Sequence, residues 1–244
     1  MTTTGNTILI TGGTSGIGLA FAEEFNRLGN TVIICGRRED RLKEIKSKYS
    51  AIITKVCDVS DAAQREELCQ WTIKNYPDIN ILMNNAGVQL HTDLTKPINV
   101  NSVRSEVETN LIAPLHLGSL FAKHLTSKKE SAIMNISSGL AFVPIAFMPV
   151  YCATKAAIHS ATLSLRHQMK NTSVKVFEIA PPSTDTELGY QNRADKSQSH
   201  GGLPISDFLK EAMEGIKNDI LETLVGQAKG LRAKNEEMFN IMNK

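Results

Sequence analysis

No stretch of about 18 consecutive apolar residues occurs, the least that spans a bilayer as a helix. The nearest approach, Ala141 to Val150, is broken by Pro144 and Pro149. A membrane partner is not expected on that count. Met1 to Asn6 has neither a charged n-region nor a cleavage site, so no secretory signal is expected either. Cysteine is scarce. Cys35, Cys57, Cys69 and Cys152 form no C-x-x-C pair and no disulfide-dense pattern, which fits a reducing, cytoplasmic location. The six histidines stand singly, without metal-ligand spacing to one another or to cysteine, and no metal is expected. Charge of one sign is not in excess: the net charge is +2, with bases and acids interspersed. Nucleic acid is therefore not indicated as a partner. Internal repeats at solenoid periods are also missing.

What remains is a chain of 244 residues, 41% hydrophobic and 21% charged, the composition of an ordinary globule. Its length suits one domain over 1–244. Thr7 to Thr11 is a short β-branched run typical of a buried parallel strand. The turn Gly12-Gly13-Thr14-Ser15-Gly16-Ile17-Gly18 follows, and Leu19 to Phe25 reads as a helix. Strand, glycine-rich turn and helix together form a place where backbone approaches a pyrophosphate and a helix N-terminus offers free N–H groups. A tight turn with no ligand is the alternative. Thr31 to Cys35 is a second strand, ended by Gly36-Arg37-Arg38. An acid is needed about 20 residues past the glycines to take the ribose hydroxyl of NAD. Arginines stand there instead, which suits the 2′-phosphate of NADP(H). Arg38 could equally be the solvated start of the helix Glu39 to Lys48.

Further strands are expected at Ala51 to Cys57, Ile79 to Met83, Ala132 to Ile136 and Val174 to Ile179, with a short seventh at Leu224 to Gly226. Helices are expected at Asp61 to Lys74, with Ser60 as cap, at Val103 to Ser127, and from Ile205. Another is expected at Ala228 to Met242. Asp58-Val59 leaves the third strand, where Asp58 could meet an adenine amino group or cap a turn. Asn84-Asn85-Ala86-Gly87 leaves the fourth, small enough to pass close to a ligand. Asn110 falls inside a helix, where asparagine is a poor former with an amide to satisfy. It either faces solvent or serves a site.

The helix expected from Tyr151 to Met169 puts Tyr151 and Lys155 on one face at i and i+4. A cation one turn from a phenol favours the phenolate and makes a usable acid and base at neutral pH. An ordinary amphipathic helix with a surface lysine has the same spacing. The loop before it (Leu140, Ala141, Phe142, Val143, Pro144) could line a pocket, with Gln89, His91 and Tyr190. The segment 182–203 reads as a substrate loop or lid.

Taken in order, these motifs resemble the short-chain dehydrogenase/reductase family over roughly residues 7 to 190. The resemblance implies a Rossmann-type, doubly wound parallel α/β sheet of about seven strands, and a homodimer or homotetramer. It implies Ser138, Tyr151, Lys155 and Asn110 as catalytic residues, Asn110 by positioning a water beside Lys155. The carried-over coenzyme contacts are Gly12, Thr14, Ser15, Gly16, Ile17, Gly18, Asp58, Val59, Asn84, Ala86, Gly87, Tyr151, Lys155, Pro181 and Thr186, to which the arginine argument adds Arg37 and Arg38. The activity implied is NADP(H)-dependent interconversion of a small carbonyl compound and its alcohol. An NAD-linked alcohol dehydrogenase and a non-catalytic nucleotide sensor are the alternatives. Pro181-Pro182 departs from the family's usual Pro-Gly. The chain also resembles bacterial reductases linked by gene context to teichoic acid D-alanylation, which implies no substrate.

Overall fold

Every residue of strand β1 (Thr7–Thr11) is buried, and the strand runs near the middle of a sheet whose pairings are all parallel. A computed structural model of the chain describes residues 1–188 and 201–244. Its seven-stranded sheet has the order β3-β2-β1-β4-β5-β6-β7. The other strands are β2 (Thr31–Gly36), β3 (Ile53–Val56), β4 (Ile79–Asn84), β5 (Ser131–Ile136), β6 (Val174–Ala180) and β7 (Glu222–Leu224). The order reverses between β1 and β4, which opens a crevice beyond their carboxyl ends. This is the Rossmann-like, doubly wound architecture.

Alternation along the strands sorts the core into two layers. Ile8, Ile10 and Ile34 face helices α1 (Gly16–Arg27), α2 (Glu39–Lys48) and α7 (Ile205–Lys217), meeting Phe21, Leu42 and Phe208. Leu9, Ile33 and Leu82 face α3 (Ala62–Asn75) and α5 (Ala113–Thr126), meeting Leu68, Leu117 and Phe121. Both faces are covered, so the central strands are mostly apolar, as parallel strands are.

Several boundaries differ from expectation for local reasons. Asp61, not Ser60, caps α3 by accepting from Gln64 N at 3.1 Å. Ser60 is already committed, donating both its N–H and its hydroxyl to Asp58 Oδ1. The edge strand β3 is shorter than its apolar run, and β7 ends before Gly226, whose φ of +51° turns the chain. Helix α6 (Pro149–Gln168) begins before Tyr151, because proline is tolerated in a first turn. The last expected helix breaks at Asn235, with φ of +47°, between α8 (Ala228–Lys234) and α9 (Phe239–Met242).

The largest difference lies before α5. The expected single helix starts earlier, as α4 (Val100–Val107), and becomes π-helical over Glu108–Ile112. Pro114 explains this: it has no N–H to give the Asn110 carbonyl four residues back, so the ladder shifts register there. Asn99 starts α4, its Oδ1 accepting from Asn101 N and Ser102 N.

Phe21 is fully buried between Phe25, 6.0 Å away, and Phe208, 5.9 Å away edge-on. Phe21→Ala is expected to cost about 3–5 kcal/mol, read from urea unfolding. A loss below about 1 kcal/mol would show that α1 and α7 are not held by this contact.

Candidate active site

The crevice is set by contacts between the ends of β1 and β4. Thr11 Oγ1 accepts from Asn85 N and Ala86 N, both at 3.0 Å. Asn85 Nδ2 returns bonds to Thr11 O at 2.9 Å and Gly12 O at 3.1 Å. The approach is so close that a Cβ on Gly12, whose φ is +65°, would lie 2.8 Å from Ala86 Cα. Gly18 is needed for the same packing, since its Cβ would come within 2.5 Å of Gly12 O. Gly18 does not line the cavity. Thr14, Ser15, Gly16 and Ile17 do, at the start of α1, where no side chain caps the helix and no acid occupies the first turn. Those N–H groups and the dipole end favour an anion.

The cavity has a volume of about 730 Å³, within the range of small-molecule sites. At one end Arg37, Arg38, Asp58 and Val59 line it. Arg38 caps α2 in sequence, but its guanidinium turns back to donate to Ser15 Oγ at 2.9 Å and Thr14 Oγ1 at 3.2 Å. Glu187 accepts from Arg38 at 3.2 Å. Arg37 lies 3.9 Å from Asp58 Oδ2, while Asp58 Oδ1 holds its own turn. The turn-capping reading of Asp58 is met by Oδ1, which leaves Oδ2 on the Arg37 side.

Further in, Ala86, Gly87, Ser138, Tyr151, Lys155, Pro181 and Thr186 line the same cavity. Asn84 does not. It points the other way from Asn85, as neighbours at a strand end must, and donates to Asn135 Oδ1 at 2.9 Å. Asn135 in turn donates to Thr162 Oγ1, making a buried polar ladder from β4 to α6.

Tyr151 is almost wholly buried, which raises its pKa; a hydrogen bond with Ser138 opposes the rise, and the charge of Glu106 adds to it. Lys155 is also buried, and this lowers its pKa to about 8 against a partial opposing effect of Glu178. Its Nζ donates to Ile136 O at 2.8 Å and lies 5.6 Å from the Tyr151 ring centre. The expected lowering of the Tyr151 pKa by Lys155 is not what the structure gives: desolvation of the phenolate raises it, and the opposing pull comes from Ser138. Asn110 does not line the cavity. Its Oδ1 accepts from Val88 N at 2.9 Å, and its Nδ2 donates to Val88 O and Thr154 Oγ1. The amide therefore braces the wall behind Gly87, with the π-helical turn aiming it there.

The far end is lined by Gln89, His91, Leu140, Ile145, Phe147 and Met148. Phe142 and Val143 are not part of it: Val143 is core, and Phe142 packs on the His159 ring at 5.0 Å. Tyr190 and most of the expected lid lie outside the described residues.

The family pattern described as short chain dehydrogenase matches residues 6–197. The chain belongs to that family. It is an oxidoreductase of the short-chain dehydrogenase class, and no described helix is long and apolar enough to cross a membrane. The oxidoreductase DltE of Bacillus subtilis strain 168, whose activity is uncharacterized, is 46% identical over 100% of this chain and 98% of its own. A short-chain dehydrogenase from Sphingobium yanoikuyae, solved with NADPH, is 25% identical with a TM-score of 0.80, covering 89% of this chain and 87% of that one. One from Burkholderia phymatum, solved with NAD, superposes with a TM-score of 0.87 at 23% identity, covering 100% of this chain and 97% of that one.

In this short-chain dehydrogenase three features escaped the sequence. Met242 lines the cavity because Asn243 ties the C-terminal turn to Pro144 O at 3.1 Å. Glu106 is fully buried behind Tyr151, one oxygen accepting from Leu90 N and the other unpartnered, with its pKa raised by burial. Glu187 faces Arg38. Only Pro114, which forces the π-helical turn, left a readable mark.

Burial of Lys155 also makes a stability prediction. The unfolded lysine titrates near 10.5 and the folded one at about 8. Between these values the unfolded chain holds more protons, so stability rises with pH there. At pH 7 the cost is about 3 kcal/mol. Lys155→Met is therefore expected to unfold later than the parent at pH 7, the difference shrinking as pH rises from 8 toward 10.5. A gap independent of pH, measured by denaturant titration without coenzyme, contradicts a buried ammonium.

Proposed function

We propose that this short-chain dehydrogenase reduces a small ketone or aldehyde with NADPH, reversibly as alcohol oxidation. The observation that carries the reading is one cavity joining an anion-binding glycine turn to a phenol in hydrogen-bonding contact with Ser138, with Lys155 one helical turn along. The residues fit a dinucleotide. Gly12 leaves room where a Cβ would fill the crevice, and the α1 N-terminus offers donors to a pyrophosphate. Arg37, Arg38, Thr14 and Ser15 supply charge and hydroxyls for a 2′-phosphate. When bound, the coenzyme supplies or accepts hydride.

The chain's own work is proton handling and charge stabilisation. A phenol with a raised pKa holds its proton at neutral pH, as a donor to a developing alkoxide must. Ser138 stabilises the oxygen as charge appears on it. Lys155 brings positive charge under the tyrosine ring and a donor for ribose hydroxyls. Asn110 fixes the Val88 backbone and α6, which keeps the cavity wall in place. Leu140, Ile145, Phe147 and Met148 give the substrate end an apolar wall.

Several surface features bear on assembly. Ile112, Leu115 and Leu163, exposed on the π-helical turn, α5 and α6, support pairing with a second copy. The reading treats residues 1–244 as one coenzyme-binding unit in the cytoplasm, consistent with its four unpaired cysteines.

Tyr151→Phe is expected to lower kcat by roughly 10²–10⁴-fold with NADPH affinity nearly unchanged, measured over a panel of ketones and aldehydes. Retained turnover would remove the tyrosine from the mechanism. Arg38→Asp should raise the KM for NADPH about tenfold or more, the loss of a charge-assisted phosphate contact, while leaving NADH kinetics close to the parent's. An equal effect on both coenzymes counts against 2′-phosphate recognition.

A further inference from the structure

Helix α6 carries one more functional-looking residue on the face of Tyr151 and Lys155. His159 follows Lys155 by one turn, and its Nδ1 lies 2.8 Å from Glu178 Oε2. Glu178 belongs to β6 and points toward α6, on the same face of the strand as Val174 and Val176. Its side chain is fully buried, and its Oε1 has no hydrogen-bond partner among the described residues. An ionised carboxylate in that position is costly unless a cation or donor completes it. Glu222, on the neighbouring strand β7, brings a third group. One ligand atom from each of His159, Glu178 and Glu222 lies within 4.8 Å of the others.

We propose that His159, Glu178 and Glu222 bind a divalent transition-metal ion. One imidazole with two carboxylates suits zinc or manganese, not an oxygen-only ion such as magnesium. Ligand atoms sharing a four-coordinate zinc lie about 3.3 Å apart by the metal–ligand lengths. His159 and Glu178 would part by about half an ångström to admit it, while Glu222 closes in. Glu222 Oε1 accepts from Arg232 Nε at 2.8 Å, an outer partner that orients the carboxylate without exhausting its lone pairs. Arg232 is itself stacked over Phe142, which packs on the His159 ring. With His159 neutral, the trio and Arg232 sum to one negative charge, which a divalent ion reverses. His159 and Glu222 are partly exposed, giving the ion a way in. The alternative, a protonated His159 paired with Glu178, leaves Glu178 Oε1 bare.

The test is calorimetric titration of the full, chelator-treated chain with Zn²⁺ and separately with Mg²⁺, alongside Glu178→Gln, His159→Gln and Glu222→Gln. The expected result is one equivalent of Zn²⁺ bound, weakened at least tenfold in the variants, and no comparable uptake of Mg²⁺. If Glu178→Gln fails to fold, the two partly exposed positions carry the comparison. Absence of stoichiometric Zn²⁺ uptake, uptake unaltered by the substitutions, or equal affinity for Mg²⁺ overturns the assignment. Metal binding is read without turnover, so the outcome is separate from that of the proposed activity.

Discussion

The clasp between the ends of β1 and β4 is the constraint on which the site depends. Two backbone N–H groups share the Thr11 hydroxyl, and the Asn85 amide returns bonds to the carbonyls of Thr11 and Gly12. With no side chain at Gly12, the two strand ends close to a distance that any Cβ would prevent. The sheet order reverses at this point, so helices from both layers lead away from it. The glycine turn, the Ala86-Gly87 exit and the start of α1 line one cavity as a consequence.

On the other side of the cavity, stability is spent to hold chemistry in place. Tyr151 and Lys155 are buried polar groups, and burial drives their pKa values apart, the phenol up and the ammonium down. Both groups keep their protons at neutral pH, the phenol held further from release and the ammonium brought nearer to it. The surroundings hold them rigidly: Ile136 O receives the ammonium, Ser138 meets the phenol, and the Asn110 amide locks α6 to the Val88 backbone. Two further buried acids, Glu106 and Glu178, act on the pair from behind, one on each residue.

Much of this arrangement was legible in the sequence where a short period fixes geometry. Strand runs, the glycine spacing and the tyrosine–lysine interval each translate directly into a face or a turn. Legibility failed where a single residue's direction depends on tertiary contacts. Asn84 and Asn85 are chemically identical, and only the pleat of β4 decides which one meets the cavity. Arg38 is a helix cap by position, yet its side chain reaches back to the glycine turn. Gly18 shares a motif with Gly12 but serves packing. Met242 reaches the cavity through a C-terminal return that no local pattern announces. His159, Glu178 and Glu222 have no metal-ligand spacing in the chain because three separate elements bring them together.

The central claim is that this cavity transfers hydride between a bound nicotinamide and a carbonyl carbon. The most direct measurement follows the atom: NADPH deuterated at both nicotinamide C4 positions is incubated with the protein and a panel of ketones, and the products are read by NMR. The account predicts alcohols carrying one deuterium on the carbinol carbon. Coenzyme that binds tightly but leaves every carbonyl unreduced would contradict it.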